Sequence, residues 1–217
     1  MNTEQARYNM IEQQIRPWEV LDQGVLSLLA VVRREDFVPA AHRALAFVDT
    51  MVPLPEGQCM LEPKVEARLL QELALARHQK VLEVGAGSGY MAALLAHRAQ
   101  QVISLEKRPA LAKLATDNLR RAGVHNAQVW QADGAEGLAA ESPFDAIVLS
   151  GSVAYVPRGV LQQLKVGGRL VAIEGALPVM RALRITRVGA NDFQRVELFD
   201  TAAPRLDGFD EPTRFRF

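Results

Sequence analysis

Glu83, Gly85, Gly87 and Gly89 fall at alternate positions in the run Val81-Leu82-Glu83-Val84-Gly85-Ala86-Gly87-Ser88-Gly89-Tyr90. The apolar residues before the first glycine read as a strand, and those after Tyr90 as a helix. Glycines in such a turn allow a tight bend and let a ligand lie on the backbone, with the free N–H groups of the helix aimed at it. Two further carboxylates suit the same ligand. Glu106 ends the next apolar run, 17 residues beyond Gly89, where a carboxylate accepts from both hydroxyls of a ribose. Asp133 follows the third run and precedes Gly134; there its side chain can accept from the amino group of an adenine. These groups suit a nucleoside-bearing ligand, but the glycine spacing is wrong for a dinucleotide. That fingerprint puts the third glycine three residues after the second, where this chain has Tyr90.

A mostly parallel sheet must bring these loops together. Short apolar runs alternate with helical patterns over 80–173, which predicts strands at 81–84, 101–105, 127–131, 146–149 and 169–174. Helices are predicted at 89–98, 109–122 and 157–164. The fold class is therefore α/β and Rossmann-like, with helices on both faces of the sheet. Ahead of it, 3–15 and 22–33 carry helical spacing and Pro17 separates them. Pro39, Pro53, Pro55, Gly57 and Pro63 mark a long irregular loop, after which 65–75 returns to helix. At the other end, 182–187 and 195–199 read as an antiparallel edge hairpin turning at Gly189-Ala190-Asn191-Asp192. The tail, 204–217, is rich in turn formers and charge.

A chain of 217 residues, 49% of them hydrophobic, can bury one sizeable core. Lys+Arg and Asp+Glu both number 25 and no like-charge block occurs, which disfavours a nucleic-acid or membrane partner. Cys59, the single cysteine, has no disulfide partner and no companion at metal-ligand spacing. No metal is assigned, and the cytoplasm is the expected location. The first 16 residues are polar and mixed in charge, unlike a signal peptide.

The run Glu-x-Gly-x-Gly-x-Gly resembles the first motif of class I S-adenosylmethionine-dependent methyltransferases. That resemblance implies S-adenosylmethionine as cofactor. It places Glu83 near the donor's amino-acid end and the donor's backbone-hugging path along Gly85, Ala86, Gly87, Ser88 and Gly89. Glu106 would hold the ribose, and Asp133 and Gly134 the adenine. The organisation expected is one domain over 1–217: N-terminal helices and substrate-side loop (1–63), donor-binding core (64–175), and hairpin with tail (176–217).

From about 10 to 173, the chain resembles the protein-L-isoaspartate O-methyltransferase family. The resemblance rests on Arg33-Arg34-Glu35-Asp36-Phe37-Val38-Pro39, Ala46-Phe47-Val48-Asp49, Gly57-Gln58, Pro63, the glycine loop and Ala132-Asp133-Gly134. Pro143-Phe144-Asp145-Ala146-Ile147 and Gln163-Leu164-Lys165-Val166-Gly167-Gly168-Arg169-Leu170 complete it. In the family, Gly-Gln is followed by Thr-Ile-Ser-Gln-Pro or close to it, and that serine lies beside donor and substrate and matters for activity. Here the segment is Cys59-Met60-Leu61-Glu62-Pro63. Alignment without gaps from Asp49 puts Leu61 at the serine position, where it can neither donate nor accept a hydrogen bond. The family's small run after the fourth strand, Thr-Ala-Ala or similar, is here Ser150-Gly151-Ser152. The resemblance implies donor-lining positions at Cys59 and Leu61 and an isoaspartyl protein or peptide as acceptor, and Leu61 argues for an altered one.

A carboxylate acceptor, with an ordinary pKa of about 4, is ionised at pH 7 and needs no base. His78, His97 and His125 fall at the edge away from the glycine loop, and His42 reads as a surface or packing residue. No catalytic residue is assigned. Cys59 lacks a base that the sequence identifies, and Trp18, Phe37, Phe47 and Met51 read as core-closing. The function expected is methyl transfer to a carboxylate or other nucleophile. The alternative is a donor-binding protein of the same fold that has lost isoaspartyl methyltransferase activity. A nucleic-acid methyltransferase would need Asn/Asp-Pro-Pro-aromatic where Leu149-Ser150-Gly151-Ser152 stands.

Overall fold

Asn2 caps the first helix by accepting from the N–H groups of Glu4 and Gln5. α1 (Thr3–Asn9) then widens into a π-helical turn (Met10–Ile15) and ends in a 3-10 turn (Arg16–Trp18) at Pro17. The helix predicted over 3–15 is thus two hydrogen-bond patterns, and the wider turn buries Met10, Ile11 and Ile15 together. α2 (Gln23–Val31) starts at Asp22, whose carboxylate accepts from the Val25 N–H. The proline-rich stretch forms 3-10 turns and one minimal antiparallel pair, β1 (Val52–Pro53) with β2 (Cys59–Met60). Pro53, with no N–H to donate, limits that ladder. α3 (Pro63–Leu73) opens on a proline and buries Val65, Leu69, Leu70 and Leu73 along one stripe.

The computed structural model describes residues 2–211; the end of the predicted tail, 212–217, lies outside them. Its main sheet contains β3 (Lys80–Val84), β4 (Gln101–Glu106), β5 (Ala127–Gln131), β6 (Phe144–Val153), β7 (Leu164–Ala176), β8 (Val179–Arg187) and β9 (Phe193–Thr201). Their order is β5-β4-β3-β6-β7-β8-β9. The first five strands are parallel, while β8 and β9 each run antiparallel to their neighbour. Residues 81–84 of β3 are all buried, as a central strand covered on both faces requires. Alternation along the strands divides the core in two. Val81, Val102, Ala146 and Val148 join the cluster under α1, α2, α3, α4 (Tyr90–Arg98) and α5 (Pro109–Arg121). Leu82, Ile103, Ile147 and Leu149 face the opposite way, toward α6 (Arg158–Leu161).

The predicted helix over 157–164 shortens to α6 because β7 begins at Leu164, whose neighbour Gln163 gives its carbonyl to the Phe144 N–H at the start of β6. β7 runs to Ala176 and pairs with β8 along its C-terminal half, so the edge is a three-stranded meander rather than a hairpin alone. After β9 the chain returns beside β6. Ser152 N–H donates to the Pro204 carbonyl (2.8 Å) and Leu206 N–H to the Ser152 carbonyl (2.9 Å). Among the described residues, no helix is long and apolar enough to cross a membrane.

Candidate active site

The strand order reverses between β3 and β6, so the crevice at the carboxyl ends of these strands is where an open α/β sheet binds ligands. The glycine loop occupies it. Gly85 (φ +93°) and Gly87 (φ +52°) adopt left-handed backbone that a side chain would strain. The N–H groups of Gly85 and Ala86 both donate to the Leu105 carbonyl, at 2.8 and 3.2 Å. Glu106 fastens the same loop from below: its carboxylate accepts from the Gly87 N–H (2.9 Å) and the Arg108 N–H (3.0 Å). Each carboxylate oxygen retains a lone pair for a further donor.

Two contiguous cavities flank this loop and share Cys59, Gly85, Gly87 and Ser150 in their walls. The first reaches Glu106, Leu111, Ala132 and Gly134 at the ends of β4 and β5. Leu206 and Asp207 of the tail also line it. Arg108 spans its mouth, paired with Glu56 (3.2 Å) on the proline-rich loop and with Asp207 (2.7 Å) on the tail. The second cavity runs from Ala86 and Ser88 to Met60 and Leu61 after β2, to Glu66 of α3, and to Tyr90 and Met91 of α4. Glu83 lies at its floor.

Burial pushes the Glu83 carboxyl up to about 8, against the pull of hydroxyl donors from Ser104 and Ser150. These stand at 2.5 and 2.8 Å. Burial likewise raises Glu66, opposed by its ion pair with Arg34. The Cys59 thiol is raised, mainly by burial, and lies 3.6 Å from the Met51 sulfur. This keeps it a thiol near neutrality and fits a lining role. Lys107, at 2.8 Å, is the main cause that holds Asp133 below the ordinary carboxylate range.

Of the residues singled out in the sequence, Glu83, Gly85, Ala86, Gly87, Ser88, Glu106, Gly134, Cys59 and Leu61 line one cavity or both. Asp133 and Gly89 line neither. Asp133 accepts from the Ala135 N–H (3.0 Å) and faces a separate groove beside Phe209 and Asp210. Gly89 begins α4 at φ +83°, where a Cβ would lie 3.1 Å from the Ala115 carbonyl oxygen. Its glycine serves the close approach of α4 to α5. None of the four histidines lines either cavity. Phe37 is buried in the core, and Trp18 stacks edge-on against Phe199.

Sequence reasoning missed Glu66, Arg108, Ser150, Leu206 and Asp207. The parallel-strand signal placed 150 just past a strand end, which is the one local cue that could have found Ser150. It sits where the β6 to β7 register shifts between Val148 and Ser152, a bulge that turns the side chain toward Glu83.

A family model described as protein-L-isoaspartate(D-aspartate) O-methyltransferase matches residues 5–192. A protein-L-isoaspartate O-methyltransferase of Koribacter versatilis (strain Ellin345) is 40% identical over 194 residues, 89% of this chain and 87% of the relative. One of Rhodopseudomonas palustris (strain ATCC BAA-98 / CGA009) is 39% identical over 207 residues, 94% of this chain and 95% of the relative. Among solved structures, a Plasmodium falciparum chain described as a protein-L-isoaspartate O-methyltransferase, in complex with S-adenosyl-L-homocysteine, superposes with a TM-score of 0.79. It is 20% identical, over 95% of this chain and 99% of that one, and so bears on the fold. By the extent of its matched residues and the identity of its relatives, the chain belongs to the protein-L-isoaspartate(D-aspartate) O-methyltransferase family.

Proposed function

We propose that the first cavity holds the nucleoside of S-adenosylmethionine, the second its amino-acid end, and that the methyl acceptor enters beside Leu61. As a member of its family the chain is an S-adenosylmethionine-dependent methyltransferase; the assignment of residues and acceptor is the proposal. The observation that carries it is the pair of cavities meeting at Gly85 and Gly87, with a buried carboxylate in each: Glu106 in the first, Glu83 in the second. S-adenosylmethionine, when bound, supplies a sulfonium methyl group open to in-line displacement. The residues fit it. Glu106 has lone pairs for ribose hydroxyls, and Glu83 offers a carboxyl oxygen in the second cavity, where an ammonium bound beside it would favour the ionised form. A Cβ at Gly134 would lie 2.5 Å from Val84, and both residues line the first cavity, so a side chain there would push Val84 out of place.

The chain's own contribution is positioning and exclusion of water. Leu206 packs over Gly85 and Gly151, and Arg108 ties loop to tail across the mouth. The walls offer no histidine, which favours an acceptor already ionised at neutral pH, a carboxylate before an amine. The relatives' names point to an isoaspartyl protein or peptide as the acceptor to test. Leu61 is buried and brings an apolar surface to the acceptor side, which favours slow isoaspartyl turnover or a different nucleophile. The free Cys59 thiol suits a reducing cytoplasm. Calorimetric titration of S-adenosylmethionine and S-adenosylhomocysteine, followed by methyl transfer to an isoaspartyl peptide, tests the reading. Binding with transfer supports both parts, binding without transfer moves the acceptor elsewhere, and no binding removes the site.

A further inference from the structure

Arg34 stands behind the second cavity without lining it. Only 1% of it is exposed, and it lies in the 3-10 turn Arg34–Asp36 of the N-terminal segment. Its three contacts go to three different walls of that cavity. Nη1 pairs with Glu66 of α3. Nη2 donates to the Leu61 carbonyl at 2.7 Å, just beyond β2. The guanidinium carbon lies 5.1 Å from the centroid of the Tyr90 ring, on the first residue of α4 after the glycine loop. Leu61, Glu66 and Tyr90 all line the second cavity.

A buried ion pair adds little stability over apolar side chains of the same volume. Arg34 also leaves its Nε buried without a hydrogen-bond partner among the described residues, a further cost. What it adds is geometry: a planar fork satisfies a carboxylate and a carbonyl at once and lies against an aromatic ring, which the single ammonium of a lysine cannot do. We infer that Arg34 is a positioning residue that sets the width and shape of the cavity for the donor's amino-acid end, so that the N-terminal segment is part of the donor site. The inference rests on the proposed assignment of the two cavities.

S-adenosylhomocysteine and 5′-methylthioadenosine share the nucleoside and thioether, and only the first carries the amino-acid end. Calorimetry of both on the full chain, unaltered and as Arg34→Met and Arg34→Lys, separates a shaped cavity from a general loss of fold. Arg34→Met is expected to weaken S-adenosylhomocysteine by about tenfold or more while 5′-methylthioadenosine stays within about twofold. Arg34→Lys, which keeps the charge and loses the fork, is expected to fall between Arg34→Met and the unaltered chain for the first ligand only. Equal losses for both ligands, or no loss for either, would overturn the inference. Should Arg34→Met fail to fold, Arg34→Lys with the same two ligands decides. An unaltered chain that binds neither ligand removes the donor site itself, and the role of Arg34 with it.

Discussion

The Ser150 hydroxyl donates to Glu83 across 2.8 Å, joining β6 to β3 where the strand order reverses. Ser104 donates to the other oxygen from β4, so the carboxyl is held on both sides and is fully buried. Burial still dominates, and the proton stays on up to about pH 8.

A carboxyl whose folded pKa is raised keeps its proton in the folded chain and loses it in the unfolded one. Its contribution to stability is therefore present in full below the ordinary value of 4.5 and is lost as pH rises toward about 8. Within that window the slope approaches about 1.4 kcal/mol per pH unit. Glu83→Gln should remove this slope and be more stable than the unaltered chain at pH 8. Urea unfolding of both chains between pH 5.5 and pH 8.5 (roughly the span the linkage relation covers) checks it; parallel curves would mean that Glu83 is ionised in the folded state.

Gly87 and Gly89 look alike in the sequence and do different work. Gly87 lines both cavities, whereas Gly89 faces the backbone of Ala115. Gly87→Val should abolish binding of S-adenosylhomocysteine, because a branched side chain at φ +52° strains the loop, crowds Leu54 and narrows both proposed donor cavities. Gly89→Ala should cost roughly 1–3 kcal/mol of stability through positive φ and the clash with α5, with binding largely kept in the folded fraction. Unfolding and calorimetry on both variants distinguish the roles, and identical behaviour would refute the division.

Much of this was legible in the chain. β3, β4 and β5 lie within one residue of their predicted spans, because each is a short stretch carrying apolar residues between helical patterns. The walls of the first cavity follow from that register, since Glu106 and Gly134 sit at or just beyond the ends of adjacent parallel strands. Asp133 occupies the same place by count, yet its side chain turns outward to Lys107; spacing places a residue at a strand end and leaves its direction open. Leu206 reaches Gly85 because the chain after β9 returns along β6, a path with no local signal. Glu66 falls within the helix predicted over 65–75, where the spacing gives it no mark. Only the fold brings Arg34 to it from 32 residues away.

Glu106 makes two charge-assisted bonds to backbone N–H groups, at Gly87 and Arg108, and faces the first cavity. Glu106→Ala should weaken both S-adenosylhomocysteine and 5′-methylthioadenosine by about 1.5–3 kcal/mol, since each carries the ribose. A loss confined to S-adenosylhomocysteine would move the ribose away from Glu106.

Leu61 stands where the acceptor is proposed to enter. Its backbone is held by Arg34 and its side chain is buried in the wall of the second cavity. No hydroxyl is offered there to an incoming isoaspartyl carboxylate. Leu61→Ser should raise methyl transfer to an isoaspartyl peptide by roughly 10–100-fold, the scale of one hydrogen bond to a charged group. Leu61→Ala controls for the lost volume, which itself costs about 2–5 kcal/mol of stability, so rates are compared on folded protein at low temperature. A gain in Leu61→Ser absent from Leu61→Ala would show that only the hydroxyl separates this chain from isoaspartyl methylation. Equal turnover in all three would mean that the acceptor is held by other residues and that Leu61 leaves the activity intact.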